Sequence, residues 1–500
     1  MDTEIELKLL VAPGSEKILE NQFFNQLSGS VAQSEFALSN CYYDTVDAQL
    51  RQNDIGLRVR GKNGQFEQTI KTGGNSMGGL HHRAEYNIPL SDSHPDLSLF
   101  EPSIWPPGLN VDALQDSIGV LFATNFVRRA YQYTRADDAL QVEFAYDQGK
   151  VKANNHGVAI CELEIELQRG SASELFNLAE QLAEVLPFRL GTLSKAARGY
   201  MLVKGTELEV LARPQNVPLN GDEDLEQILQ KGLTAALACW QHHEQVFCES
   251  GKLLALEGVW FGQKWLRQQL IQINSVLALA EIDALIQQLD QSLRQWTWVA
   301  QVLAMGRLRS SRGPFSKKLA QCDALQSYLH GRIHGLLAQY QPLQLINNGT
   351  SGLIQLRLLA LLYKRPWQHD EKATQPAQVF ARQWLQQSWL DVQGVLGEPA
   401  VMQADDYIAQ EGILQQSVLR SLAIAELFNA EQRGEFRAGW LDVLDGIEEL
   451  YTLRVLKREL GRAELADADE LAQWCAEKTQ RVLEIIHLSH HAALNMTPYW

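Results

Sequence analysis

Strict alternation of charged and apolar residues opens the chain, in Glu4-Ile5-Glu6-Leu7-Lys8. Successive side chains of a strand point to opposite faces. Glu4, Glu6 and Lys8 therefore share one face, and Ile5, Leu7 and Leu9 share the other. A single strand of this kind is an ordinary half-buried strand with its charges in water. Here the pattern recurs, and the recurrence constrains the fold. Glu162-Leu163-Glu164-Ile165-Glu166-Leu167 aligns three carboxylates, and Gly56-Leu57-Arg58-Val59-Arg60 aligns two guanidiniums. If these faces converge inside a closed sheet, the interior is a charged tunnel suited to metal ions and a polyanion.

The strand pattern continues to about Lys204, and about eight strands follow one another in antiparallel order, enough to close a barrel. Asp147-Gln148-Gly149 reads as a turn between two of them. Residues 211–224 hold Pro214, Pro218 and Gly221 and read as a linker. Beyond Leu225, Leu, Ala, Gln and Glu recur at helical spacing. The spacing predicts helices over 225–250, 266–278, 283–304, 317–339, 353–364, 375–396, 415–428, 437–460 and 470–487. The expected class is α+β. An N-terminal eight-stranded antiparallel β-barrel occupies 1–205, a linker 206–224, and an all-α helical bundle 225–500.

Charge and cysteine usage narrow the function classes. A net charge of −16 speaks against general nucleic-acid binding, which needs a basic surface. A small anionic substrate stays open, because a site depends on local charge. Six scattered cysteines without a C-x-x-C pair fit free thiols in a reducing compartment. No apolar run approaches a bilayer span, so the expectation is a cytoplasmic protein without a membrane partner.

The motifs together carry a resemblance. Glu4-x-Glu6-x-Lys8 is followed by Tyr42-Tyr43-Asp44-Thr45, Gly56-Leu57-Arg58-Val59-Arg60, Thr69-Ile70-Lys71-Thr72 and Gly78-Gly79-Leu80-His81-His82-Arg83-Ala84-Glu85. Phe126-Val127-Arg128, Glu162-Leu163-Glu164-Ile165-Glu166 and Ser194-Lys195-Ala196-Ala197-Arg198-Gly199-Tyr200 complete the order. Over its first two hundred residues the chain resembles the CYTH, or triphosphate tunnel metalloenzyme, superfamily. The arrangement as a whole is similar to bacterial two-domain inorganic triphosphatases that join a CYTH domain to a CHAD domain. The CHAD likeness is the weaker one. Where that family carries a His–Arg helix, this chain reads Trp260-Phe261-Gly262-Gln263-Lys264-Trp265-Leu266-Arg267, with no His.

The resemblance implies a hydrolase that splits tripolyphosphate into pyrophosphate and phosphate. Arg58, Arg60, Lys71, Arg83, Arg128 and Lys195 would grip phosphate oxygens from different strands, with Lys8 as a further contact. Glu4, Glu6, Glu162, Glu164 and Glu166 are the candidate ligands of Mg²⁺, with Mn²⁺ an alternative. Glu4, Glu6 and Lys8 form the expected catalytic group, Lys8 orienting the attacking water as a charged ammonium. Glu85 and Glu143 face the same interior and would hold basic side chains in place.

Rival readings are a cyclase or hydrolase acting on ATP or thiamine triphosphate, and a polyphosphate-binding scaffold. The first needs an aromatic platform, for which Tyr42, Tyr43 and Trp105 are candidates. The second would use the helical half, whose densest basic run is Arg307-Leu308-Arg309-Ser310-Ser311-Arg312, for long-chain polyphosphate. The Gly73–Gly79 stretch lacks the G-K-[ST] ending of a phosphate loop and reads as a hairpin loop. His487, His490 and His491 read as a helix-surface cluster.

Overall fold

The computed structural model describes residues 2–214 and 216–500. These divide into two compact units. One runs through Leu208 and takes in Ile346–Lys364; the other comprises Glu209–Leu345 and Arg365–Trp500.

The first unit holds ten strands: β1 Asp2–Leu10, β2 Gly29–Asp44, β3 Gly56–Lys62, β4 Gln65–Lys71, β5 Asn75–Met77, β6 Leu80–Leu90, β7 Gly119–Arg135, β8 Gln141–Ala153, β9 His156–Arg169 and β10 Arg189–Leu190. Eight of them form a closed ring in the order β1-β9-β8-β7-β2-β3-β4-β6, with β6 pairing back onto β1. Every pair in the ring is antiparallel. Short β5 and β10 add to β6 and β1. Closure leaves no long unpaired edge within the ring.

Alternation then dictates an inside-out barrel. The charged faces of β1, β3 and β9 turn inward, so the apolar faces must be covered from outside. Leu7, Leu9, Phe144, Leu163 and Ile165 are buried in one cluster with Leu175, Phe176, Ala179 and Leu182 of helix α1 (Ser173–Ala183). Leu356 and Leu359 of the helix Thr350–Lys364 join the same cluster. Helix α2 (Lys195–Lys204) is started by Ser194, whose hydroxyl oxygen accepts from the Ala197 backbone N–H at 3.0 Å. Gly199 on this helix lets it approach closely: a Cβ there would sit 2.1 Å from the Phe122 ring.

One expected turn is continuous strand. β8 runs through Asp147-Gln148-Gly149 to Ala153, and the hairpin turns instead at Asn154, whose φ is +52°. Gly149 serves close packing, since a Cβ would fall 2.2 Å from the Asn125 carbonyl oxygen.

The second unit is helical. Helix α3 (Leu225–Ser250) begins at a reciprocal cap between Asp224 and Gln227, and packs on α4 (Leu253–Leu277), where Gly262 admits the Trp240 backbone. The helix expected over 283–304 is two, Ala280–Gln295 and α5 (Val299–Arg309). The break is fixed by two buried tryptophans between them. Trp298 donates its indole N–H to the Gln295 carbonyl at 2.8 Å and stacks on Tyr340 at 4.9 Å. The helix expected over 415–428 is α6 (Ala404–Leu422), started by a cap between Gln403 and Asp406. Helices α7 (Ala430–Leu460) and α8 (Ala468–Leu494) pack as a long pair. His490 is buried and hydrogen-bonds the Tyr407 hydroxyl at 2.9 Å, while His487 meets the Met402 carbonyl. The histidines thus do not converge as a surface cluster. Among the described residues no helix is long and apolar enough to cross a membrane, and the six cysteines are free thiols.

Candidate active site

The barrel encloses a cavity of about 930 Å³. Glu4, Glu6 and Lys8 reach it from β1, Arg58 and Arg60 from β3, Lys71 from β4, Arg83 and Glu85 from β6. Arg128, Glu143, Glu164 and Glu166 enter from β7, β8 and β9. With Arg51, Asp54 and Lys195 added, eight cations face seven carboxylates on its wall. Strand register sets the pairs: Glu6 lies opposite Glu166, Lys8 opposite Glu164, and Lys71 opposite Glu85.

Part of this charge is already neutralised. Lys8 Nζ lies 3.0 Å from Glu162 Oε1 and also pairs with Glu164. Lys195 Nζ touches Glu162 at 2.6 Å, Asp147 at 2.7 Å and Glu164 at 2.9 Å. Arg128 forks onto Asp147 with two contacts of 2.7 Å and reaches Glu164 at 2.8 Å. Arg198 pairs with Glu162. Burial opposes charging Lys8, but Glu162 and Glu164 outweigh it and hold its ammonium well above the usual lysine range. Lys8 is therefore a fixed cation.

Asp147, Glu162 and Glu164 bring ligand oxygens within 4.8 Å of one another, close enough for a metal ion. Four cations, Lys8, Arg128, Lys195 and Arg198, already hold these oxygens, so the trio acts as their counter-charge. Glu162 is fully buried and lies outside the cavity lining. It anchors the cations from behind the wall.

Other wall charges have no such partner. Glu6 and Glu166 face each other without an ion pair among the described residues. Burial, then the charge of Glu164, pushes Glu6 up to about 7. Burial, then Glu4 and Glu143, does the same to Glu166. Glu4 is nearby but pairs with Lys71, which also meets Glu85 at 3.1 Å. On the basic side, Arg60 donates to the Asn40 side-chain oxygen at 2.9 Å and has no carboxylate partner among the described residues. Burial, then the charges of Arg58 and Arg128, lowers it to about 10. Arg83 and Arg51 have no carboxylate partner among the described residues, and Arg51 lies over the Tyr200 ring at 5.6 Å. Arg58 is spread between Thr69 at 3.1 Å and Glu85 at 3.4 Å. One cavity thus presents free guanidiniums and a free pair of carboxylates.

Several of these features escape the sequence pattern. Lys195 reaches the wall from the first turn of α2, not from a strand. A lysine there opposes the helix dipole, and the three carboxylates around it offset that cost. Arg51 is delivered by Asp44, which accepts from the backbone N–H groups of Thr45 (2.8 Å), Leu50 (2.8 Å) and Arg51 (3.0 Å), and from the Tyr200 hydroxyl (2.8 Å). Asp147 was concealed by its turn-like neighbours, although it stands four residues beyond Glu143, on the same face. Among the aromatic candidates, Tyr42 lines the cavity but stacks on Phe122 at 4.6 Å. Tyr43 and Trp105 pack into a separate apolar cluster. Gly73, Gly74 and Ser76 line the cavity beside β5. His81 is buried between Ser76 and the Gly191 carbonyl, whereas His82 is exposed.

Comparison with known proteins agrees with this geometry. The chain is 33% identical over 200 residues to an inorganic triphosphatase of Haemophilus influenzae, covering 40% of this chain and 54% of that relative. The match therefore spans about half of the relative's length. Solved structures with likeness include HpAC1 of Hippeastrum, described with a dominant triphosphatase activity (19% identical, 41% of this chain, 97% of that one, TM-score 0.31). The CHAD domain of Ricinus communis is another (18% identical, 56% of this chain, 96% of that one, TM-score 0.37). Residues 2–200 match the CYTH domain family, and the charged barrel is a CYTH domain.

Proposed function

We propose that this protein hydrolyses inorganic triphosphate in its barrel with the help of a divalent cation. The observation that carries the reading is the coexistence, in one cavity, of guanidiniums without carboxylates and carboxylates without cations. Eight cations against seven carboxylates cannot balance the several negative charges of tripolyphosphate. A divalent cation between substrate and carboxylates reconciles the two. The activity named for the Haemophilus influenzae relative points the same way.

Arg60, Arg83 and Arg51 take substrate oxygens without breaking an ion pair, and Arg58 and Lys71 complete the grip. Lys8, Arg128 and Lys195, fixed by their counter-charges, hold positive potential at the wall where charge develops. Glu6 and Glu166, with Glu4 released from Lys71, would hold Mg²⁺ or Mn²⁺; oxygen-only ligands suit these ions. Such an ion supplies charge neutralisation and a more acidic bound water. Water attacks the terminal phosphorus, the bond to the bridging oxygen breaks, and pyrophosphate and phosphate leave with one proton released.

The aromatic side chains favour an inorganic substrate over ATP or thiamine triphosphate. Of the aromatics on the wall, Tyr42 stacks on Phe122, Tyr200 meets Phe122 edge-on and donates its hydroxyl to Asp44, and Phe126 lies against Lys195, while Tyr43 and Trp105 pack elsewhere. The test is phosphate release from tripolyphosphate, ATP and thiamine triphosphate, each with and without Mg²⁺. Fast, Mg²⁺-dependent release from tripolyphosphate is expected. Faster turnover of either organic triphosphate, or undiminished release in chelator, would overturn the reading.

A further inference from the structure

The helical unit contains a cavity of its own, of about 510 Å³, within the size range of small-molecule sites. Helices α4, α5, α6 and α7 wall it, closed on one side by the strap at Arg213 and Pro214. Its lining is mostly apolar in kind: Trp260, Phe261, Leu303, Leu419, Leu441 and Leu444 are representative. Charge is arranged at its edges, with five cations against four carboxylates.

The cations are not equivalent. Arg213 and Arg307 are both held by Glu257 and Glu448 in a crossed four-membered network. Arg307 is therefore drawn away from Arg309 and Arg312, which are exposed, and the basic run of the sequence is not one patch. Lys264 lies over the Trp260 indole at 3.2 Å and donates to the Gln415 side-chain oxygen at 3.0 Å. Arg433 donates to the backbone carbonyls of Ala425 and Phe428. Arg437, one turn later on α7, has neither an ion pair nor a hydrogen bond among the described residues, though it is half-buried. Burial, together with the charge of Arg433, lowers its basicity. Arg433 and Arg437 thus stand one turn apart on α7 with no carboxylate partner among the described residues.

We propose that this cavity binds a small organic monoanion, a carboxylate on an aromatic or apolar body, with its head on Arg437 and its body against the Trp260–Phe261 wall. A net lining charge of one positive suits a single anionic head. It does not suit a long polyanion, which would also leave the apolar wall uncovered. The carboxylate satisfies an Arg437 that burial otherwise leaves without a partner, and a guanidinium holds a carboxylate through two parallel hydrogen bonds. The body removes apolar wall from water. This site is independent of the reaction in the barrel.

The probe is 2-naphthoate, with uncharged 2-naphthol as its counterpart, titrated into the full chain by calorimetry. One saturable site for 2-naphthoate is expected, with at least tenfold weaker binding of 2-naphthol. Arg437→Met keeps the apolar bulk of the side chain and should weaken 2-naphthoate at least tenfold. Ala300→Trp, which fills the cavity from α5, should remove binding of both probes. Circular dichroism and thermal unfolding check that each variant is folded. No saturable 2-naphthoate binding, equal binding by the folded Arg437→Met variant, or displacement of 2-naphthoate by long-chain polyphosphate would each overturn the proposal.

Discussion

Two carboxylates on the same strand have opposite duties, and substitution separates them. Glu162 is encased by Lys8, Lys195 and Arg198. Glu162→Gln leaves buried Lys8 and Lys195, and half-buried Arg198, short of a counter-charge, and should cost about 3–5 kcal/mol, read as a lower unfolding midpoint. Glu166 instead has no ion pair among the described residues, and burial, then the charges of Glu4 and Glu143, lifts its folded-state pKa above its unfolded one. A raised carboxyl pKa favours the fold at low pH, and that contribution disappears as pH rises through about 7. Glu166→Gln should therefore raise the unfolding midpoint at pH 8 without metal, and lose most of the further rise that Mg²⁺ gives the native chain. A lower midpoint for Glu166→Gln would show that its buried charge does not cost the fold stability. His490 supplies a pH dependence in the helical unit. Burial, then the charges of His487 and His491, lowers it to about 4, against an unfolded value of 6.5. A depressed pKa gives stability that is present above the unfolded value and lost as pH falls toward the folded one. From this group, stability should drop by about 2 kcal/mol between pH 7 and pH 5, and His490→Phe should flatten the slope in denaturant titrations.

At the level of elements, the strands were legible and the junctions were not. Alternation in Glu4–Lys8, Arg58–Arg60 and Glu162–Glu166 is a period-two signal, and closure turns these charged faces inward, with Glu162 alone among them lying behind the cavity wall. Lys195 carries no such signal. It enters the cavity because Ser194 starts a helix there and three carboxylates accept its ammonium. Asp147 was hidden because Asp147-Gln148-Gly149 has the composition of a turn, whereas Gly149 is required by the nearness of Phe126. In the helical unit, periodicity located most helices but missed the interruption at Trp296–Trp298, which is set by stacking on the distant Tyr340. The cap at Ser194 gives a direct test. Ser194→Ala should cost about 1 kcal/mol and loosen Lys195, raising KM for tripolyphosphate more than it lowers kcat. An unchanged KM would mean that Lys195 is placed by its ion pairs alone.

At the scale of the whole molecule, the first unit is discontinuous in sequence. Helix Thr350–Lys364 places Leu356 and Leu359 in the cluster that covers the outside of the barrel. A fragment ending at Leu208 therefore lacks part of its own apolar cover. Leu356→Ala in the full chain should lower stability by about 2–5 kcal/mol. A fragment of residues 2–208 should bind the apolar dye 8-anilinonaphthalene-1-sulfonate more strongly than the full chain, and unfold at lower temperature. Equal midpoints would show that the returning helix contributes nothing to the barrel. The same discontinuity bears on synthesis. As the ribosome delivers the chain, every strand emerges long before the helix that finishes their covering. For that interval the nascent barrel presents bare apolar surface to the cell, so its exposure to chaperones is set by how quickly the intervening helices are translated.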